Sequence, residues 1–232
     1  MIYIENLKFK YPHTKDYILD IPNFKLKKGE KVFLFGPSGC GKTTFLEVLA
    51  AINIPKDGVV SINNSELQKM SSKERDRFRA DHIGYIFQSF NLVPYLTAKE
   101  NITLPLYFSD QKRSHVAKHD EEKKVLEICS RLGIENLLEK SVTELSIGQQ
   151  QRVAAARAIM GKPDLILADE PTSSLDFDHR EKFIQLLFSV CNELQISILF
   201  VSHDRTLEKL FDRSVSLQDL NLSSKNNNGA TL

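Results

Sequence analysis

The most specific chemistry in the sequence lies in nine residues, Gly36-Pro37-Ser38-Gly39-Cys40-Gly41-Lys42-Thr43-Thr44. They match the spacing G-x-x-x-x-G-K-[ST], whose glycines let backbone N–H groups turn inward around an anion where a Cβ would intrude. The apolar run Val32-Phe33-Leu34-Phe35 precedes the loop, and Phe45 to Ala50 reads as a helix after it. That order of strand, glycine loop and helix is the context the spacing requires, because the helix N-terminus aims its partial positive charge at the same phosphates. Lys42 can reach β- and γ-phosphates, and the Thr43 hydroxyl can ligate Mg²⁺. The expected ligand is a nucleoside triphosphate.

Triphosphate chemistry needs further groups. Asp169 and Glu170 close the apolar run Leu165-Ile166-Leu167-Ala168, two carboxylates at a strand end. A carboxylate at Asp169 suits Mg²⁺, and Glu170 beside it suits the orientation and deprotonation of water. Alone, such a pair reads as an exposed acidic turn before Pro171; the loop at Gly36 favours the chemical reading. His203 follows Ile198 to Ser202 and could donate to the γ-phosphate. Gln88, after the apolar run Ile83 to Phe87, could touch the metal or the water.

These residues need elements that bring them to one edge. Ile2 to Ile4, Leu7 to Tyr11 and the stretch around Phe24 to Leu26 alternate apolar with polar residues, the pattern of antiparallel strands. Val32 to Phe35, Ile83 to Phe87, Leu165 to Ala168 and Ile196 to Val201 are apolar throughout, like strands covered on both faces. Ser71 to Phe78 reads as a polar surface helix. From Asn91 to about Met160 the texture is helical, apart from a loop-like polar stretch from Ser109 to His119. Val125, Ile128, Cys129 and Leu132 recur at helical spacing, a long helix is expected from Gln150 to Met160, and Phe183 to Leu194 forms another. Strands alternating with helices imply a mostly parallel sheet with ligands at the carboxyl ends of its strands, where Gly36, Gln88, Asp169 and His203 all fall. A single domain is expected over residues 1–222, with a helical subdomain inserted at about 90–160 and a polar, disordered tail over 223–232.

Composition narrows the class. The chain has 232 residues and a formal net charge of +1, so no global field draws it to nucleic acid or an anionic membrane. No apolar stretch approaches the roughly 20 residues needed to span a bilayer. Met1-Ile2-Tyr3-Ile4-Glu5 has neither a basic region nor a long apolar one, so no signal peptide is expected and the compartment is read as cytoplasmic. Cys40, Cys129 and Cys191 are too scattered for a disulfide framework or a metal site.

Taken together, Gly36 to Thr43, Gln88, Leu145-Ser146-Ile147-Gly148-Gln149, Leu165 to Glu170, Ser174-Leu175-Asp176 and His203 resemble, in order, the motifs of ATP-binding cassette (ABC) ATPases: Walker A, Q-loop, signature, Walker B, D-loop and H-loop. The resemblance covers about residues 2–220. It implies a P-loop NTPase fold, a RecA-like mixed sheet with flanking helices, an N-terminal antiparallel β subdomain and an inserted helical subdomain. It also implies ATP and Mg²⁺ as ligands, with Thr43, Gln88 and Asp169 at the metal. The expected assembly is a head-to-tail dimer in which each ATP meets one copy's Gly36 loop and the other copy's Ser146, Gly148, Gln149 and Asp176. Tyr11 stands where the family places an adenine-stacking aromatic, with Phe9 and Tyr17 as rivals. The chain departs from the family's usual Leu-Ser-Gly-Gly-Gln by carrying Ile147 in place of the first glycine. If that position needs φ > 0, a β-branched residue slows turnover; with negative φ, hydrolysis survives, and that outcome is expected. Cys40 in the phosphate loop reads as a tolerated small side chain in preference to a redox switch.

Leu92 to Leu106 resembles the subfamily of lipoprotein-releasing and macrolide-exporting transporter ATPases. It implies an integral membrane permease subunit as partner, docked against Phe90 to Tyr95, and a location at the cytoplasmic face of the inner (cell) membrane, with no nucleic-acid partner. The alternative is a non-transport ABC ATPase acting as a regulatory switch, such as one in a cell-division complex.

Overall fold

A computed structural model describes residues 1–116 and 120–223, which group into two compact units: Met1–Arg79 with the chain from Leu199 onward, and Ala80–Ile198. The first unit opens with β1 (Ile2–Phe9), β2 (Leu19–Leu26), β3 (Lys31–Phe35), α1 (Lys42–Leu49), β4 (Asp57–Ile62), β5 (Ser65–Glu66) and α2 (Ser72–His82). The strands β2-β1-β4-β5 form an antiparallel sheet in that order. The two alternating runs expected at the N-terminus are one strand with a slip in phase: Ile2 and Ile4 are buried, then Leu7 and Phe9. Asn6 absorbs the slip at φ 49°, and the register with β4 shifts between Glu5 and Lys8. The distortion brings the Asn6 carbonyl against Gly58, where an added Cβ would sit 2.2 Å from the oxygen, so only glycine fits.

The second unit continues with β6 (Ile83–Ile86), α3 (Ala98–Phe108), α4 (Asp110–Ser114), α5 (Glu121–Leu132), α6 (Ile147–Ile159), β7 (Leu165–Asp169) and α7 (Phe177–Leu194). β6 and β7 pair in parallel from Ile83↔Leu165 to Ile86↔Ala168. Two expectations are corrected here. The stretch from Ser109 carries the short helix α4, because the Ser109 hydroxyl accepts from the Lys112 N–H at 2.9 Å and the Lys112 side chain is buried. The helix expected from Gln150 begins three residues earlier, capped by Ser146.

The chain returns to the first unit through β8 (Ser197–Val201), then forms β9 (Arg213–Ser216) and α8 (Leu217–Leu220). β9 pairs in parallel with β3, Val32↔Arg213 to Phe35↔Ser216, and is invisible as a strand in the sequence because Arg-Ser-Val-Ser offers one apolar residue. Of the tail expected over 223–232, only Ser223 is among the described residues.

Candidate functional site

In the first unit, β3 delivers the chain to the glycine loop and α1 takes it away at Lys42. Gly41 caps α1 at φ 99°, and an added Cβ there would come within 3.0 Å of Leu19 Cδ2. Gly41 has no side chain with which to cap this helix, so its N-terminus is directed at the loop by the backbone alone. A Cβ on Gly36 would meet Cys40 Sγ at 2.7 Å. Lys42 Nζ lies across the loop, donating to Gly36 O at 2.9 Å and Pro37 O at 3.0 Å. The hydroxyl of Tyr11 donates to Glu47 Oε2 at 3.0 Å and lies 3.3 Å from Thr44 Oγ1, which ties the ring to α1. Tyr17, its rival, lines a cavity of about 540 Å³ with Pro37, Ser38, Gly39 and Cys40, which Tyr11 does not reach. Burial pushes the Cys40 thiol up and outweighs the nearby Lys42 charge, so the thiolate that a redox switch needs is disfavoured.

His203 sits on an exposed turn after β8. Its neighbour Ser202 donates its N–H to Leu34 O at 3.2 Å, so the turn lies beside the end of β3 that feeds the glycine loop. The Arg205 guanidinium stacks 4.4 Å over the Phe35 ring and braces the same turn. Sequence reasoning missed Asn221, buried after α8, whose amide donates to the Cys40 carbonyl. A lone asparagine in a polar stretch offers no signal for that role.

In the second unit, the β6–β7 register sets Gln88, two residues past β6, on the same edge as Asp169, the last residue of β7. Glu170 follows at φ 45°, a left-handed conformation that costs a non-glycine residue about 1 kcal/mol or more and aims the backbone sharply away from the strand. Gln151 Nε2 donates to Pro171 O at 2.8 Å, fastening α6 to the turn after Glu170.

Ser146 and Gln149 cap α6 reciprocally: Gln149 N–H reaches Ser146 Oγ at 3.4 Å, and Ser146 N–H reaches Gln149 Oε1 at 2.9 Å. Ile147 is the first helical residue, is not among the residues with positive φ, and is 53% exposed. Its β-branched side chain is therefore compatible with the backbone. Asp176 caps α7 through His179 N–H at 3.0 Å, and the His179 ring at 2.6 Å holds its carboxyl below the usual range. Ser146, Gly148, Gln149 and Asp176 line one depression of about 440 Å³. Arg157 was also missed. It donates to Phe90 O at 2.6 Å and Asn91 O at 2.7 Å, both residues at positive φ, and so holds the segment after Gln88. A charge interrupting the apolar face of α6 is the signal that could have found it. Phe90 is itself buried, whereas Tyr95 is 85% exposed, so the expected apolar patch rests on Tyr95 and not on Phe90.

Thr43 and Asp169 offer hard oxygen donors of the kind Mg²⁺ takes, one hydroxyl and one carboxylate. Among the described residues no three His, Cys, Asp or Glu side chains cluster as a metal cage.

A family model described as ABC transporter matches residues 19–173. The chain belongs to the ABC transporter family. It is an ABC ATPase, the energising subunit type, with the mixed α/β fold of a P-loop NTPase. The lipoprotein-releasing system ATP-binding protein LolD of Bacteroides fragilis is 34% identical, covering 96% of this chain and all of the relative. An uncharacterized ABC transporter ATP-binding protein of Methanocaldococcus jannaschii, MJ0796, is 37% identical over 94% of each chain. A solved dimeric structure of that ABC cassette superposes with a TM-score of 0.81 at 36% identity, covering 93% of this chain and 94% of the other. A post-hydrolysis dimer of the same cassette, bound to ADP and Pi, gives 0.82 at 35% identity over 97% and 95%. No helix among the described residues is long and apolar enough to cross a membrane.

Proposed function

We propose that two copies of this chain close head to tail around two ATP molecules and use hydrolysis to drive a membrane permease of the lipoprotein-release and export type. The observation that carries this reading is the depression in which Ser146, Gly148, Gln149 and Asp176 meet: an N-cap hydroxyl, a helix N-terminus and a second capped turn line one open surface together. Such a surface suits a γ-phosphate held by another copy.

The roles follow the chemistry of each group. Loop N–H groups from Gly36 to Thr44 and Lys42 hold the β- and γ-phosphates, and Tyr11 stacks on adenine. Thr43, Gln88 and Asp169 would hold Mg²⁺, which would supply charge neutralisation on the phosphate oxygens. Glu170 orients a water and takes its proton as the water oxygen bonds to the γ-phosphorus. The bond from that phosphorus to the bridging oxygen breaks, leaving ADP and phosphate. His203 donates to the γ-phosphate, and the partner's Ser146 and Gly148 stabilise its developing charge.

The permease end of the account rests on Tyr95. Its loop is fixed by buried Asn101, which accepts from Val93 N–H at 2.8 Å and donates to Val93 O at 3.1 Å, so an exposed aromatic is presented on a rigid frame. Such an aromatic suits the docking of a permease helix, and a chain docked in that way would work at the cytoplasmic face of the inner membrane. Tyr95→Asp is expected to leave the soluble chain's ATPase rate unchanged while membrane subunits no longer copurify. Retained copurification refutes the docking site.

A further inference from the structure

Among the described residues, the C-terminal segment lies against the phosphate loop at Leu217 and Gln218 and bonds it through the buried side chain of Asn221. Asn221 is 1% exposed and spends its amide on three backbone groups far away in sequence. Its Oδ1 accepts from Asp20 N–H at 2.7 Å, and its Nδ2 donates to Ile18 O at 2.8 Å and Cys40 O at 3.3 Å. Ser223 reinforces this strap: its Oγ lies 2.8 Å from Ile18 O and 2.9 Å from Asn221 Oδ1, sharing one proton between them, and it lines the same cavity as Pro37 to Cys40 without bonding the Cys40 carbonyl.

The bond to Cys40 O fixes a direction. A trans peptide is planar, so its C=O and the next residue's N–H point to opposite sides. With the Cys40 carbonyl turned toward Asn221, the Gly41 N–H of the same peptide is turned away from the C-terminal segment. Gly41 is the α1 cap at φ 99°, a conformation open to glycine and therefore soft, so the peptide before it gains its orientation from an external partner.

We propose that Asn221 is a positioning residue for triphosphate binding: it holds the Cys40–Gly41 peptide with its N–H aimed at the phosphates. This rests on the reading of the Gly36 loop as the triphosphate site. The side chain acts through the loop and touches no ligand itself. Asp is the informative replacement, being isosteric and retaining the acceptor for Asp20 N–H, while setting an oxygen against the carbonyls of Ile18 and Cys40.

The test measures dissociation constants of the full chain for ATP, tripolyphosphate and adenosine, with melting temperatures alongside. Asn221→Asp is expected to weaken ATP and tripolyphosphate by a common factor of about tenfold, the worth of one oriented hydrogen bond, and to leave adenosine unchanged. Ser223→Ala, which loosens the strap without touching Cys40, should lower the melting temperature and leave ATP binding within about twofold. If Asn221→Asp does not fold, Asn221→Ala must show the same selective loss of phosphate affinity. ATP binding unchanged in a folded Asn221 variant, or weakened equally by Ser223→Ala, overturns the proposal alone. A wild-type chain that binds no ATP overturns the triphosphate reading and the proposal with it.

Discussion

Ile147→Gly restores the residue that the family's signature usually carries, and its effect can be worked from the position of Ile147 in the fold. Ile147 opens α6 with negative φ and 53% of its surface exposed. Glycine loses helix propensity there, up to about 1 kcal/mol in a helix interior and less in the first turn. Burial of half an isoleucine is worth about 1 kcal/mol more. The sum, between 1 and 2 kcal/mol, corresponds to a fall in Tm of about 2–8 °C for a chain of this size. The catalytic consequence is expected to be small, because glycine's access to positive φ has no use where the backbone is already helical. Steady-state ATPase assays of the assembled complex should give a kcat within about threefold of wild type, while differential scanning calorimetry reads the loss in Tm. A tenfold rise in kcat, equivalent to about 1.4 kcal/mol of transition-state stabilisation, would refute the reasoning and show that Ile147 restrains the signature.

Gly84→Ala places a Cβ 2.2 Å from the Ala158 carbonyl oxygen, so β6 and α6 must separate, at a cost of about 3 kcal/mol or more and a Tm lower by about 6–12 °C. Lys112 is buried with its Nζ on Ile83 O, and desolvation lowers its pKa to about 8 against the attraction of Asp81 and Asp164. The folded chain therefore binds this proton less tightly than the unfolded one: its penalty is full below pH 8, and stability rises between about pH 8 and 10.5, by up to about 3 kcal/mol. Urea titrations of wild type and Lys112→Met across that window should show the rise in wild type alone; parallel curves contradict it. Tyr11→Ala should weaken ATP about tenfold, within the range for loss of a base–aromatic stack, while Tyr17→Ala leaves it near wild type; the reverse result transfers the adenine contact to Tyr17.

The elements easiest to read were those with one dominant signal. Val32 to Phe35 and Leu165 to Ala168 are apolar throughout, and both are strands that end where the chemistry begins. The register Ile86↔Ala168 puts Gln88 and Asp169 on a common edge, as the pattern of buried strands implied within that unit. Where two signals competed, reading failed. The start of α6 is hard to see because Gly148, a poor helix former, stands at its second position, while the cap at Ser146 depends on the Gln149 side chain turning back to it. α4 was hidden because Lys112 counts as polar in any hydropathy pattern although its stem and head are buried. Asn221, Arg157 and Asn101 all act by bonding backbone carbonyls distant in sequence, at separations of 181, 66 and 8 residues for the carbonyls of Cys40, Asn91 and Val93. Such roles depend on the peptide's orientation in space, which no local spacing encodes.

The central claim is that this chain holds half of each ATP site and needs a second copy for the other half. Light scattering of Glu170→Gln with Mg²⁺ and saturating ATP tests it most directly, because the variant retains the binding groups and lacks the carboxylate that accepts water's proton. The mass is expected to move from 26.4 kDa without nucleotide to twice that value with ATP, and back on exchange into ADP. A mass that stays at 26.4 kDa with ATP bound contradicts it.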